Sequence, residues 1–186
     1  KHESVLEHLF ASVRFITMRS VTHELVRHRH TSYTQESTRY VSYKNKEIEF
    51  IKPVWYDTAP KDIKNDFEAI LNKSERIYKS FITSGLKQEE AREILPNCLK
   101  TEIITTASLR EWRHIFNLRT SPQAHPQIRS LMLDCLESFK KEIPIVFDDI
   151  NPLPKGTVYI NLEEAQGYQS KGILKQDCEM TEKEGD

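Results

Sequence analysis

Gly85 is the only glycine in the first 150 residues; the other four, Gly156, Gly167, Gly172 and Gly185, all follow residue 151. Glycine lets a backbone take positive φ and approach a ligand closely, so a chain this poor in it has few ways to build a glycine-lined loop. No two of its glycines have the spacing of a dinucleotide fingerprint or a P-loop. If such a chain holds a phosphate, guanidinium groups and helix N-termini must hold it.

The remaining text is that of one ordinary domain with a short extension, 186 residues in all. Lys plus Arg number 27 against 28 Asp plus Glu, a formal charge of -1, so no global basic field advertises a nucleic-acid partner and any anion site must be a local cluster. No apolar run approaches the roughly 18 residues of a membrane span. Cys98, Cys135 and Cys178 fit neither a disulfide framework nor a zinc motif, which points to a reducing cytoplasm. The chain starts at Lys1 in patterned, apolar-rich text, and the expectation is that an N-terminal segment is missing.

Alternation from Val13 to Met18 predicts a strand. Val21 and Leu25 suit a short helix ending near Arg29, the polar residues through Ser37 read as a loop, and Tyr40 to Tyr43 and Glu47 to Val54 read as further strand. Between Pro60 and Gly85 the apolar positions Ile63, Phe67, Ile70, Leu71, Ile77, Tyr78 and Phe81 recur at three- and four-residue intervals, with Thr58 as the start signal and Gly85 as the stop. A second helix runs from Lys87 to about Leu95, where Pro96 interrupts it, and Ile103 to Thr106 fits strand or helix. Ser108 with Glu111 is a capping-box pattern that opens a helix carrying Arg110, Trp112, Arg113, His114 and Phe116. Ser121 and Pro122 read as cap and first residue of the next helix, which ends before Pro144. The fold class expected is α+β, a small, mainly antiparallel sheet with a helical layer, over residues 1–150, with 151–186 as an extension or tail.

The chemistry is concentrated in two places. Five of the seven histidines fall in the first thirty residues, but His23-Glu24-Leu25-Val26-Arg27 puts an arginine where a zinc H-E-x-x-H motif needs histidine, so no metal is expected. The cations suit an anion instead. Arg27-His28-Arg29 with Ser32, Gln35, Ser37 and Arg39 is matched to phosphate and to a planar base, or equally to a solvated basic face. A second cluster, Arg110, Arg113, His114 and Arg119 with Arg92 upstream, lies beside Trp112 and Phe116, whose spacing places them in the core. Buried guanidinium groups need partners. Cys98 and Cys135, among apolar neighbours, read as core. A rival reading is a single-strand or RNA binder with Arg27, Arg29 and Arg39 on phosphate and Tyr33 or Tyr40 stacking, which predicts steep salt dependence and no yellow cofactor.

Arg27-His28-Arg29, seven residues, then Ser37 is similar to the R-H-R-x7-S signature of flavin-dependent thymidylate synthases, and Arg39-Tyr40 continues it. His2-Glu3-Ser4 with Glu7-His8, Ala91-Arg92 with Leu95-Pro96, and Leu118-Arg119 resemble that family's other blocks in its order, over roughly residues 1–150. The resemblance implies an FAD-dependent enzyme making dTMP from dUMP, with methylenetetrahydrofolate and NADPH as co-substrates, as a homotetramer whose sites are shared between chains. It implies that Arg27, His28, Arg29, Ser4, Ser108, Arg110, His114 and Gln35 meet FAD. Glu24, Arg27, Gln35, Ser37, Thr38, Arg39, Arg92 and Arg119 would meet dUMP, with Arg119 against the uracil in the catalytic role. The chain departs from the family pattern at Gln35, Glu24, Ser108, His114 and Gln123. Neither nucleic acid nor membrane is an implied partner.

Overall fold

The computed structural model describes residues 2–152; the expected tail at 151–186 and Cys178 lie, but for residues 151 and 152, outside them. Strand β1 (Phe10–Met18) leads directly into helix α1 (Arg19–Leu25), and β2 (Thr31–Gln35) follows. The long helix α2 (Lys61–Thr83) and the single-turn α3 (Gln88–Ala91) precede β3 (Lys100–Ser108), which is followed without a loop by α4 (Leu109–Arg119), then α5 (Pro126–Glu142) and α6 (Pro144–Phe147). The sheet order is β1-β3-β2 with both pairings antiparallel, Phe10 opposite Ser108 and Thr31 opposite Ala107. This is the expected α+β architecture, and the ambiguous 103–106 stretch is the middle of its central strand.

One face of that sheet makes the core. Thr101, Ile103, Thr105 and Ala107 alternate inward along β3, and Phe15 and Thr17 do so on β1, with Met18 buried where the strand ends. Against them α4 lays Trp112, Ile115 and Phe116, and α5 adds Ile128, Met132, Leu136 and Phe139, so the two helices close the layer. Trp112 stacks on Phe116 at 5.6 Å and donates its indole N–H to the Ala11 carbonyl at 3.0 Å, which fixes α4 to the edge strand. The expected core roles of Trp112 and Phe116 hold: neither has any exposed surface.

Four expectations need correction. The polar stretch before Ser37 contains β2: it is an edge strand with Ser32 and Thr34 turned outward, so its polarity belongs to its solvent face. Conversely, Tyr40 to Tyr43 is not strand, because turn hydrogen bonds from Tyr40 and Val41 to the Ser37 carbonyl curl the chain there. The 47–54 segment is extended but forms only one bridge, Phe50 with Leu99, since from Lys100 onward β3 is flanked by β1 and, over 103–107, by β2 as well. The helix expected at Ser121 and Pro122 starts four residues later, with His125 as cap and Pro126 as first residue, while Ser121 to Ala124 is a turn. Smaller shifts occur at helix ends: α1 stops at Leu25 rather than near Arg29, and Pro60, not Thr58, caps α2. Gly85 does end α2, at φ 97°, with the Leu86 amide bonding back to the Phe81 carbonyl at 3.1 Å.

Candidate active site

The end of α1 and the end of α4 meet at Arg119. Its Nε donates to His28 Nε2 at 3.0 Å, its Nη1 to Glu24 Oε2 at 2.9 Å and its Nη2 to the Glu24 carbonyl at 3.0 Å. That clamp fixes the plane of the guanidinium and leaves a donor on each terminal nitrogen for a ligand. The reason lies in β3 and α4: Ser108 ends the strand and caps the helix by accepting from the Glu111 amide at 3.2 Å, so the whole of α4 is set from one point. The Tyr33 hydroxyl reaches the carbonyls of Leu25 and His28, at 2.6 and 3.0 Å, and anchors the turn between α1 and β2 on the other side.

His28 is 5% exposed, alone buried among the five early histidines. Burial, then the neighbouring Arg119 cation and His114, lower its pKa to about 4, so the ring is neutral at physiological pH. Because Nε2 accepts from Arg119, the ring proton is on Nδ1, facing Glu111 Oε1 at 3.8 Å. His28, Glu111 and His114 bring their ligand-type atoms within 4.8 Å of one another, a cluster invisible in the spacing of the sequence. The one free lone pair of the neutral His28 ring is already committed to the Arg119 guanidinium.

Beside it lies a cavity of about 870 Å³, within the range of small-molecule sites, lined among others by Ser108, Arg110, Glu111, His114, His30 and Glu7. Three expected cofactor contacts, Ser108, Arg110 and His114, therefore share one wall. Ser4 is on the short 3-10 turn Glu3–Glu7 whose glutamates also line the cavity, and Arg110 pairs with Glu7 across it. Arg113, which also lines the cavity, holds the C-terminal end of the described chain. It makes a bidentate pair with Asp149 at 2.7 and 2.9 Å, which raises its pKa, and a further contact with Glu3 at 3.7 Å.

A second cavity, of about 260 Å³, is lined by Arg19, Thr38, Arg92, Glu93, Leu95, Pro96, Asn97 and Leu99. Arg92 Nη1 donates to the buried Thr38 hydroxyl at 3.3 Å. The Ser37 hydroxyl accepts from the Arg39 amide at 3.3 Å, and the exposed Arg39 guanidinium bonds Glu89 at 3.2 Å. Gln35 turns its amide to Thr22 and Thr101, at 2.9 and 3.3 Å. The structure does not gather Arg27 and Arg29 with either cavity: both are exposed and neither has a side-chain partner among the described residues. Sequence reasoning missed Arg19 and gave Glu111 only a capping role and Tyr33 only a stacking one; the one signal for Arg19 was a charge set between Met18 and Val21, where the pattern is apolar. Burial pushes the Cys135 thiol up to about 12 and raises that of Cys98, so neither is poised as a nucleophile.

Fold and site together define an α+β domain with arginines gathered at helix and strand ends. The family model described as thymidylate synthase complementing protein matches residues 1–145, and the chain belongs to that family. Among curated relatives it is similar to the flavin-dependent thymidylate synthase of Pyrococcus furiosus, 39% identical over 161 residues, which cover 83% of this chain and 62% of the relative. It is also similar to those of Geobacter sulfurreducens, 36% identical with 81% and 65% covered, and Mycolicibacterium gilvum, 37% identical with 84% and 68% covered. The chain thus spans about two thirds of the length of these relatives.

Proposed function

We propose that this chain is a flavin-dependent thymidylate synthase, making dTMP from dUMP with methylenetetrahydrofolate as one-carbon donor and NADPH as reductant, and that residues 1–150 form its catalytic domain. The observation that carries the reading is the clamped Arg119, a fixed cation with free donors set between Glu24 and a neutral His28. Against a uracil ring such a group stabilises negative charge without reorganising, which is the requirement for making the ring a nucleophile. The family name of the relatives and the match over residues 1–145 support it.

The large cavity fits FAD in size and donors. Ser108, Arg110 and His114 would hold it, with Ser4 beside them and Arg27, His28, Arg29 and Gln35 completing the contacts; bound there, FAD would supply the redox chemistry. Thr38 and Arg92, with Ser37 and Arg39 at the same turn, would bind the nucleotide phosphate. Arg27 and Arg29 are exposed and line neither cavity, so in the homotetramer proposed here they would meet flavin in a site shared with a neighbouring chain. The reduced cysteines Cys98 and Cys135 support a cytoplasmic setting, and no helix among the described residues is long and apolar enough to cross a membrane.

The purified protein should carry a flavin absorption band in the blue and convert dUMP to dTMP only with both folate and NADPH present. A colourless protein that instead binds single strands with steep salt dependence overturns the proposal.

A further inference from the structure

Glu111 brings a negative charge into the large cavity, and no part of the chemistry above uses it. It is the third residue of α4, and its backbone amide, not its carboxylate, completes the cap by donating to Ser108 Oγ at 3.2 Å. The cap therefore does not need the side chain. That side chain is only 13% exposed, and it lines the cavity together with Ser108, Arg110 and His114. Its one ion-pair partner within 4 Å among the described residues is His28 Nδ1, at 3.8 Å, beyond hydrogen-bond reach and on a ring that is neutral at physiological pH. The cations of the same wall are engaged elsewhere, Arg110 with Glu7 and Arg113 with Asp149 and Glu3. A carboxylate only accepts hydrogen bonds, and one this far from solvent is costly without a donor. A ligand that fills the cavity must therefore bring a donor to Glu111, and a phosphate oxygen at the same point would meet a like charge.

We propose that Glu111 is a specificity residue of the large cavity, accepting a hydrogen bond from a neutral N–H or O–H of the bound cofactor and turning phosphate oxygens away toward Arg110. The assignment rests on the reading of that cavity as the flavin site. FAD offers such donors on its ring imide, its ribityl chain and its adenosine half, and its pyrophosphate linkage offers none. Recognition thus combines an attraction with a repulsion, which orients a ligand carrying both kinds of group. Glutamine at this position keeps the shape and one acceptor oxygen but loses the charge, and alanine loses both acceptors.

The test titrates FAD, FMN, lumiflavin and inorganic pyrophosphate into the full chain freed of flavin, as wild type, Glu111→Gln and Glu111→Ala, by calorimetry, with thermal midpoints as the check on folding. Glu111→Ala should weaken FAD about ten- to a hundredfold and Glu111→Gln by less, while inorganic pyrophosphate binds both variants as tightly as wild type or tighter. The fragments locate the donor: a loss retained with lumiflavin puts it on the ring, one retained with FMN but not lumiflavin on the ribityl chain, and one confined to FAD on the adenosine half. FAD affinity that is equal to wild type in both variants, or tighter in either, overturns the assignment while leaving the enzymatic reading intact. An equal loss for FAD and pyrophosphate also overturns it, since the side chain would then only prop the arginines. A wild-type chain that takes up no FAD overturns both readings. If Glu111→Ala does not fold, Glu111→Gln decides alone: loss for FAD without loss for pyrophosphate supports the role, and any other pattern refutes it.

Discussion

His28 titrates at about 4 in the folded protein against an ordinary 6.5, because it is buried beside the Arg119 cation, with His114 and Glu111 as its other neighbours. Between those two values the unfolded chain binds the extra proton and the folded chain does not, so stability is full above about pH 6.5 and is lost as pH falls toward 4. The loss from this residue amounts to about 3 kcal/mol at most. Denaturant titrations from about pH 7 to about pH 4.5 should therefore show a shallower fall for His28→Gln than for wild type; parallel curves would mean the ring is not the titrating group. The residue level is also where the sequence was most informative. Glu24, His28 and Arg119 were singled out separately, and they are one hydrogen-bonded unit. Arg113 was grouped with Arg119 by proximity in the chain, but its guanidinium pairs with Asp149 instead.

At the scale of elements, the hinge between β3 and α4 positions most of the site. Ser108 is its last strand residue, its N-cap and part of the cavity wall, so one hydroxyl couples helix start and ligand surface. Ser108→Ala should destabilise the protein by about 1 kcal/mol, read as a lower thermal midpoint, and loosen flavin retention by shifting Arg110 and His114. Replacement by Asp or Asn, which also cap, should restore the midpoint. This element was legible because capping chemistry is local: a serine and a glutamate three residues apart suffice to write it. β2 was not legible, because an edge strand with one wet face has the composition of a loop until a partner strand is present. The 47–54 segment failed in the opposite sense, with strand-like residues that find a ladder partner only at the Phe50–Leu99 bridge.

For the whole molecule, the sheet has one helix-covered face and one open face, on which Phe10 is 67%, Ile16 53% and Ile104 44% exposed beside the Ser12–Thr106 and Arg14–Glu102 cross-strand pairs. On α2 the periodic Ile63 and Ile70 are 46% and 62% exposed. Apolar side chains exposed on these faces would be covered if the proposed subunits packed there. Mixing an Arg29→Ala chain with an Arg119→Ala chain should then restore measurable dTMP synthesis that neither gives alone, since mixed oligomers contain some sites with both residues intact. Sedimentation should show dissociation when flavin is stripped, by mass action on the assembled state. A monomer that holds flavin stoichiometrically, with no activity on mixing, would refute the shared site.

The sequence by itself determined what depends on near neighbours along the chain: the helical periodicity of α2, the stop at Gly85, the cap at Ser108, the absence of a glycine cradle, and the R-H-R-x7-S spacing that places the chain in its family. Only the tertiary structure decided what depends on pairing at long range. It chose β3 as the strand that both β1 and β2 must share, and it buried His28 while leaving Arg27 and Arg29 in water. It also brought Arg19 to the same cavity as Thr38 and Arg92. The physical reason is that burial and charge pairing belong to the packed molecule: the same arginine nitrogen is solvated or sealed and unpaired according to what folds over it.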